Sequence, residues 1–216
     1  MEKLKKLISL IDLVQLEKEI RLNPQTKFES MDIESVKNGD LNVIIHVAEL
    51  YATGSSVIAP NPQLAIQICK LCIDLGNIDG YGLLADFHEI GIGIEKDYDH
   101  SLTTLLEGAK NGSSSCMVRL AYKNQKHRIY FDGMSILNEE DEFYWLHRAA
   151  ELGYAPSYIP LGLRYQCGSG TEQSKDKAEF WYNKAKEAGI ETSMDYLMDI
   201  WQQKWSEKNN EAKVQD

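Results

Sequence analysis

Two stretches of the chain share one layout of apolar and polar positions: EFYWLHRAAELG at 142–153 and AEFWYNKAKEAG at 178–189. Each places a Trp eight residues before a closing Gly, a basic residue five before it and an Ala four before it. The spacing predicts an amphipathic helix in both places. The glycine suits the left-handed position just past a helix end, where a side chain would be strained. Helix-ending glycines recur at Gly39, Gly76, Gly112, Gly153 and Gly189, separated by 37, 36, 41 and 36 residues. A helical pattern repeating with such a period predicts an array of helix–turn–helix units that bury a continuous core between neighbours.

A second helix is predicted after each glycine. Five residues on lie Ile44, Tyr81, Met117, Tyr158 and Met194; eight on lie Val47, Leu84, Leu120, Leu161 and Leu197. Four residues on lie Val43, Gly80, Cys116, Ser157 and Ser193, and nine on lie Ala48, Ala85, Ala121, Gly162 and Met198, mostly small. These offsets make one helical face, that of helix A of each unit. In helix B, the large residue eight before the glycine (Ile68, Thr104, Trp145, Trp181) is expected to wedge into the neighbouring helix. The small residue four before it (Cys72, Gly108, Ala149, Ala185) lets two backbones come close. On that expectation Trp181→Ala costs about 3–5 kcal/mol.

Glycine also marks the turn from A to B. Gly91 and Gly93 in HEIGIGIEKDYDHS match Gly168 and Gly170 in YQCGSGTEQSKDKA, and Gly54 opens the first such turn. The third turn, 124–142, carries about five extra residues, with Asp132-Gly133 as its expected tip. The predicted organisation is one array. It runs from an N-terminal cap (1–40) through units 41–76, 77–112, 113–153 and 154–189 to a C-terminal capping helix and polar tail (190–216). A lone helix B is expected within 28–39 and a lone helix A within 192–208, covering the apolar ends. At the N-terminus Leu4, Leu7, Ile8, Ile11 and Val14 fall at helical spacing. Asp12 interrupts the apolar run and Glu17, Lys18 and Glu19 follow, which favours an amphipathic helix over a secretion signal.

Composition narrows the function classes. Five prolines, fifteen glycines and no clean apolar/polar alternation predict an all-α chain, and 43% apolar residues suffice for a core. The net charge of −10 argues against nucleic acid and against an anionic membrane surface, and favours a basic patch on any charged partner. No run approaches the ~18 apolar residues of a membrane span, so the expected location is cytoplasmic. Cys69-Lys-Leu-Cys72 supplies at most half of the roughly four ligands of a zinc site. HEIGIG lacks the second His of a zinc HExxH, and its GIG recurs as the repeat turn rather than a phosphate loop. His88 stands where units one and four carry Tyr51 and Tyr165, which predicts a packed ring. Glu139-Glu140-Asp141-Glu142 is placed to favour a helix N-terminus and lacks calcium-loop spacing. No cofactor, metal or catalytic residue is expected.

The run Leu161-Gly162, Tyr165, Gly168-x-Gly170, Lys177-Ala178, Trp181-Tyr182, Lys184-Ala185 and Gly189 resembles the Sel-one-like repeat, a relative of the tetratricopeptide repeat. The resemblance is strongest in unit four and covers about 150–180 residues. It implies a right-handed α/α solenoid, a TPR-like superhelix that binds protein or peptide partners, often as an adaptor, with no shared catalytic machinery. Bacterial members that neutralise secreted toxins, and disulfide-rich relatives proposed as hydrolases of cell-wall material, mark an immunity role and an enzymatic alternative. The recurring disulfide pairing of the latter is missing: Cys72 and Cys116 fill the small packing positions instead. Pro160, inside helix A of unit four, is expected to bend or shorten the first turn.

In this fold helix A lines the concave groove, so residues off its packing face are the candidate partner contacts. They are His46, Glu49, Asp86 and Glu89, then Arg119, Tyr122, Lys123 and Lys126. An acidic stretch followed by a basic one would fix a partner's register, or the same residues form solvated faces. The long third turn adds Arg128, Tyr130 and Phe131, the two rings facing either a partner or the core.

Overall fold

The computed structural model describes residues 1–22, 33–126, 130–131, 134–135 and 139–190, with side chains for all of these but 124–126, 130–131, 134–135 and 139. The chain divides into two compact units, Met1–Leu120 and Ala121–Asp216. The first holds α1 (Glu2–Ser9), α2 (Leu13–Leu22), α3 (Ile33–Asn38), α4 (Leu41–Thr53), α5 (Pro62–Asp74), α6 (Gly80–Ile90) and α7 (Tyr98–Lys110), and α8 (Ser114–Lys126) begins in it. In the second, the short strands β1 (Tyr130–Phe131) and β2 (Met134–Ser135) precede α9 (Glu139–Glu151). A 3-10 turn at Ala155–Ser157, α10 (Tyr158–Cys167) and α11 (Lys175–Glu187) follow. Among the described residues the architecture is all-α helix–turn–helix repeats. Helices α4, α6, α8 and α10 are the A helices, and α3, α5, α7, α9 and α11 the B helices.

One backbone device sets the period. All five stop glycines have positive φ, between 72° and 99°. At each, the glycine amide donates three residues back. The next amide donates to the carbonyl five residues before itself: Asp40 to Ser35, Asn77 to Cys72, Ser113 to Gly108, Tyr154 to Ala149, Ile190 to Ala185. This pair of bonds satisfies the last carbonyls of a helix and requires a left-handed residue. The starts are equally local. Asp40, Asn61, Asp97 and Ser174 each accept a backbone amide from two or three residues on, capping α4, α5, α7 and α11.

The packing stripe of helix B differs from the sequence expectation. Trp145 and Trp181 are half-buried. Full burial falls one residue later, at Cys69, Leu105, Leu146 and Tyr182. The stripe runs eleven, seven and four residues before the glycine: Ala65-Cys69-Cys72, Ser101-Leu105-Gly108, Glu142-Leu146-Ala149 and Ala178-Tyr182-Ala185. Steps of four and three keep one side of a helix, and the position eight before the glycine lies on its flank. Ile68 and Thr104 are buried there, while the wider indole stays partly in solvent. The close-approach positions hold as expected: a Cβ on Gly108 would sit 2.6 Å from Cys116 Sγ and from Tyr81 Cβ.

The N-terminus is two helices rather than one. Asp12 interrupts the helix, and its Oδ1 accepts from the amides of Val14 (3.1 Å) and Gln15 (3.0 Å), so it caps α2. The apolar stripe breaks accordingly: Leu7 and Ile11 are buried, while Val14 is 80% exposed. The Asp12 amide donates to Tyr51 Oη (3.0 Å), and the Ser55 hydroxyl donates to the buried Glu19 (2.7 Å), fastening the pair to the first repeat. In the second unit a 3-10 turn carrying Pro156 precedes α10, and Pro160 is the third residue of that helix, within the first turn, where an amide would have no partner inside the helix. The expected capping helix within 192–208 and the Asp132-Gly133 tip lie outside the described residues.

Candidate partner-binding faces on the A helices

In the first unit the candidate residues come from α4, α6 and the start of α8. His46 and Glu49 are one turn apart on α4, with Nδ1 and Oε2 3.7 Å apart. Asp86 and Glu89 are similarly spaced on α6 and half-buried. Arg119 reaches back from α8: Nη1 donates to the Gly82 carbonyl at 2.8 Å, and Nη2 pairs with Asp86. A Cβ at position 82 would lie 3.1 Å from Arg119 Nη1, so the glycine leaves room for the guanidinium. The two sequence blocks, acidic and basic, therefore meet inside this unit. Asp86 and Arg119 answer each other, while Glu49 lies on α4 and Glu89 three residues past Asp86 on α6. The Arg119 side chain keeps 28% of its surface exposed and Asp86 42%, so the pair is reachable from solvent.

In the second unit Tyr122 is 49% exposed on α8, and partial burial pushes its phenol up, with the Arg164 charge pulling the other way. Lys123 is half-buried, and Lys126 is the last residue of α8. In the long turn β1 and β2 pair antiparallel, Tyr130 with Ser135 and Phe131 with Met134. Arg128 lies outside the described residues.

Three relationships went unseen in the sequence. Asn77 donates through Nδ2 to Asn42 Oδ1 (3.1 Å) and accepts from the Gly80 amide (3.0 Å), tying α4 to the start of α6. Glu142 is an acid in a stripe position that is Ala or Ser in the other repeats, and Arg164 of α10 pairs with it. Arg164 Nη1 also donates to Ser169 Oγ at 2.6 Å. Finally, His88 stacks on His100. The signal for the last two was a residue out of character for its repeat position.

Burial keeps two of the thiols protonated: it pushes Cys69 and Cys72 each up to about 12, and Cys69 Sγ donates to the Gly80 carbonyl at 3.1 Å. Among the described residues no group of three or more His, Cys, Asp or Glu side chains could hold a metal ion. No described helix is long and apolar enough to cross a membrane.

A family model described as the Sel1 repeat matches four times, at residues 44–77, 79–112, 114–154 and 156–190, together more than half of the chain. The chitin synthase regulator SKT5 of Saccharomyces cerevisiae is 28% identical over 144 residues, which is 64% of this chain and 20% of the regulator. A Sel1 repeat protein from Oxalobacter formigenes has a crystal structure that superposes with a TM-score of 0.62 at 23% identity, covering 76% of this chain and 45% of that one. A protective antigen of uropathogenic Escherichia coli with an SLR fold superposes with a TM-score of 0.54 at 24% identity, covering 71% and 32%. At these identities the two structures show the fold alone.

Proposed function

Because this chain belongs to the Sel1-repeat family, whose repeats typically mediate protein–protein interaction, we propose that it is a non-catalytic regulator or adaptor. In this reading it holds a partner protein or peptide on the outward faces of its A helices. The curated relative is itself a regulator by name. The observation that carries the reading is the chemistry of those faces. The B-helix stripes are spent on packing, whereas α4, α6 and α8 present His46, Glu49, Asp86, Glu89, Arg119, Tyr122 and Lys123 away from theirs. Lys126, Arg128, Tyr130 and Phe131 extend the candidate set along the chain. With a net charge of −10, the partner's contact surface is basic where it meets Glu49 and Glu89.

The test is affinity capture from the native host with three forms of the full chain: wild type, Glu49→Lys/Glu89→Lys, and Glu107→Lys on α7 as a control on a B helix. The expected result is a protein retained by the wild type and the control, and lost by the A-face variant, with binding that weakens as salt is raised. A partner retained equally by all three forms refutes the A-face assignment.

A further inference from the structure

Twelve residues past the stop glycine, the first and fourth repeats carry Tyr51 and Tyr165, both buried. The second carries His88, half-buried near the end of α6. Its ring stacks on His100 of the first turn of α7, with centroids 5.2 Å apart and planes 20° from parallel. Asp97 ties both ends of this contact together. Its amide donates to the His88 carbonyl (2.8 Å), its Oδ1 accepts from the His100 amide (2.9 Å), and its Oδ2 lies 2.8 Å from His100 Nδ1. The stack therefore closes the turn that joins α6 to α7.

The charges that act on His88 can be named. Lys70 faces His88 from α5, Asp97 faces it from the turn and His100 from α7. Glu89 is its neighbour on α6 itself. Protons on both rings place two positive charges in stacking contact next to Lys70, with one carboxylate, Asp97, already engaged between them. We propose that the His88–His100 stack is an acid-sensitive clasp, which holds the α6–α7 turn shut when the rings are neutral and releases it when they are protonated.

The titration of His88 agrees with the geometry. Burial lowers it first, then the charge of His100; Asp97 pulls the other way, and Lys70 lowers it by the least. A base held below its unfolded value of 6.5 binds fewer protons folded than unfolded. The closed turn is therefore fully stable above 6.5 and loses stability as pH falls below that value and through the folded one. Tyrosine at the equivalent positions carries no charge in this window, so the device is confined to the second repeat. It is independent of the partner-binding reading.

The experiment is amide hydrogen exchange at Asp97 in the full chain, corrected for intrinsic rates, between pH 8 and pH 5.5. Wild type is compared with His88→Tyr and His100→Gln, and the histidine ring protons are titrated in the same samples. Two unit charges at this separation in a water-like dielectric repel by an amount corresponding to about a fourfold change in an equilibrium. Opening at Asp97 is thus expected to rise on the order of fourfold in the wild type on acidification, and to stay flat in both variants. An equal rise in either variant, or a His88 ring that titrates at or above the ordinary histidine value, overturns the proposal.

Discussion

Gly162 of α10 has no side chain because Tyr182 of α11 occupies the space where one would be: a Cβ built there overlaps the edge of the phenol ring. Tyr182 is 2% exposed, and its hydroxyl donates to Gln166 Oε1 one turn further along α10. The backbone at 162 is ordinary helix, so the glycine is there for space and not for conformation. Gly162→Ala is therefore expected to overpack the pair and to destabilise by about 1–3 kcal/mol, even though alanine is the better helix former. Urea unfolding followed by circular dichroism measures it. A neutral or stabilising result would show that the α10–α11 contact yields to a methyl group.

The same geometry ranks two adjacent aromatics. Tyr182→Ala empties a buried site and is expected to cost about 3–5 kcal/mol. Trp181 packs against Tyr158 (5.5 Å between centroids) and His147 (6.2 Å) with part of its indole in solvent, so Trp181→Ala is expected to cost about half as much. The reverse order in parallel melts would return the wedge to the tryptophan.

Arg164 and Glu142 form a buried pair, with side chains 12% and 6% exposed. Removing the guanidinium takes its charge from a carboxylate that stays buried: Arg164→Met is expected to cost about 3–5 kcal/mol. The pair itself is replaceable. Glu142 occupies a position held by Ala65, Ser101 and Ala178 in the other repeats, so Glu142→Ala alongside Arg164→Met is expected to recover most of the loss. A double variant no more stable than Arg164→Met would mean that the arginine acts chiefly through Ser169 and its own packing.

The repeat and its period were legible because they rest on local backbone chemistry. Glycine at the stop and Asp, Asn or Ser at the start each act on their own helix end, and such effects leave a fixed spacing in the sequence. What escaped rests on long-range pairing or on a residue type that reads two ways. The stripe was placed one residue too early because Trp145 and Trp181 are the largest apolar residues in their helices, and size was read as burial. Yet a flank position accepts an indole that the centre of the stripe cannot. The break at Asp12 was hidden because one polar residue in an apolar run reads equally as a helix face or a cap. The acidic and basic candidates on the A helices were visible as types. That Asp86 meets Arg119 across two helices depends on Gly82 leaving room, which no spacing rule contains.

The cysteines give a chemical test of the same packing. Cys69, Cys72 and Cys116 are buried and Cys167 is exposed. Burial raises all three buried thiols, to about 12 for Cys69 and Cys72, so at pH 8 they are neutral as well as shielded. The native protein is expected to release one equivalent of thionitrobenzoate from Ellman's reagent, and the denatured chain four, the full cysteine count. The shifts also carry a stability sign. An acid held neutral above its unfolded value of 9.0 contributes nothing unfavourable below that pH. It costs stability as the pH rises from about 9 toward about 12, because the unfolded chain releases protons that the folded one retains. Alkaline unfolding in that window is accordingly expected to weaken in Cys69→Ala/Cys72→Ala, measured as the difference in stability between pH 8 and pH 10.5 for each form. More than one fast-reacting thiol in the native state would show that a buried cysteine is reached by transient opening of its repeat.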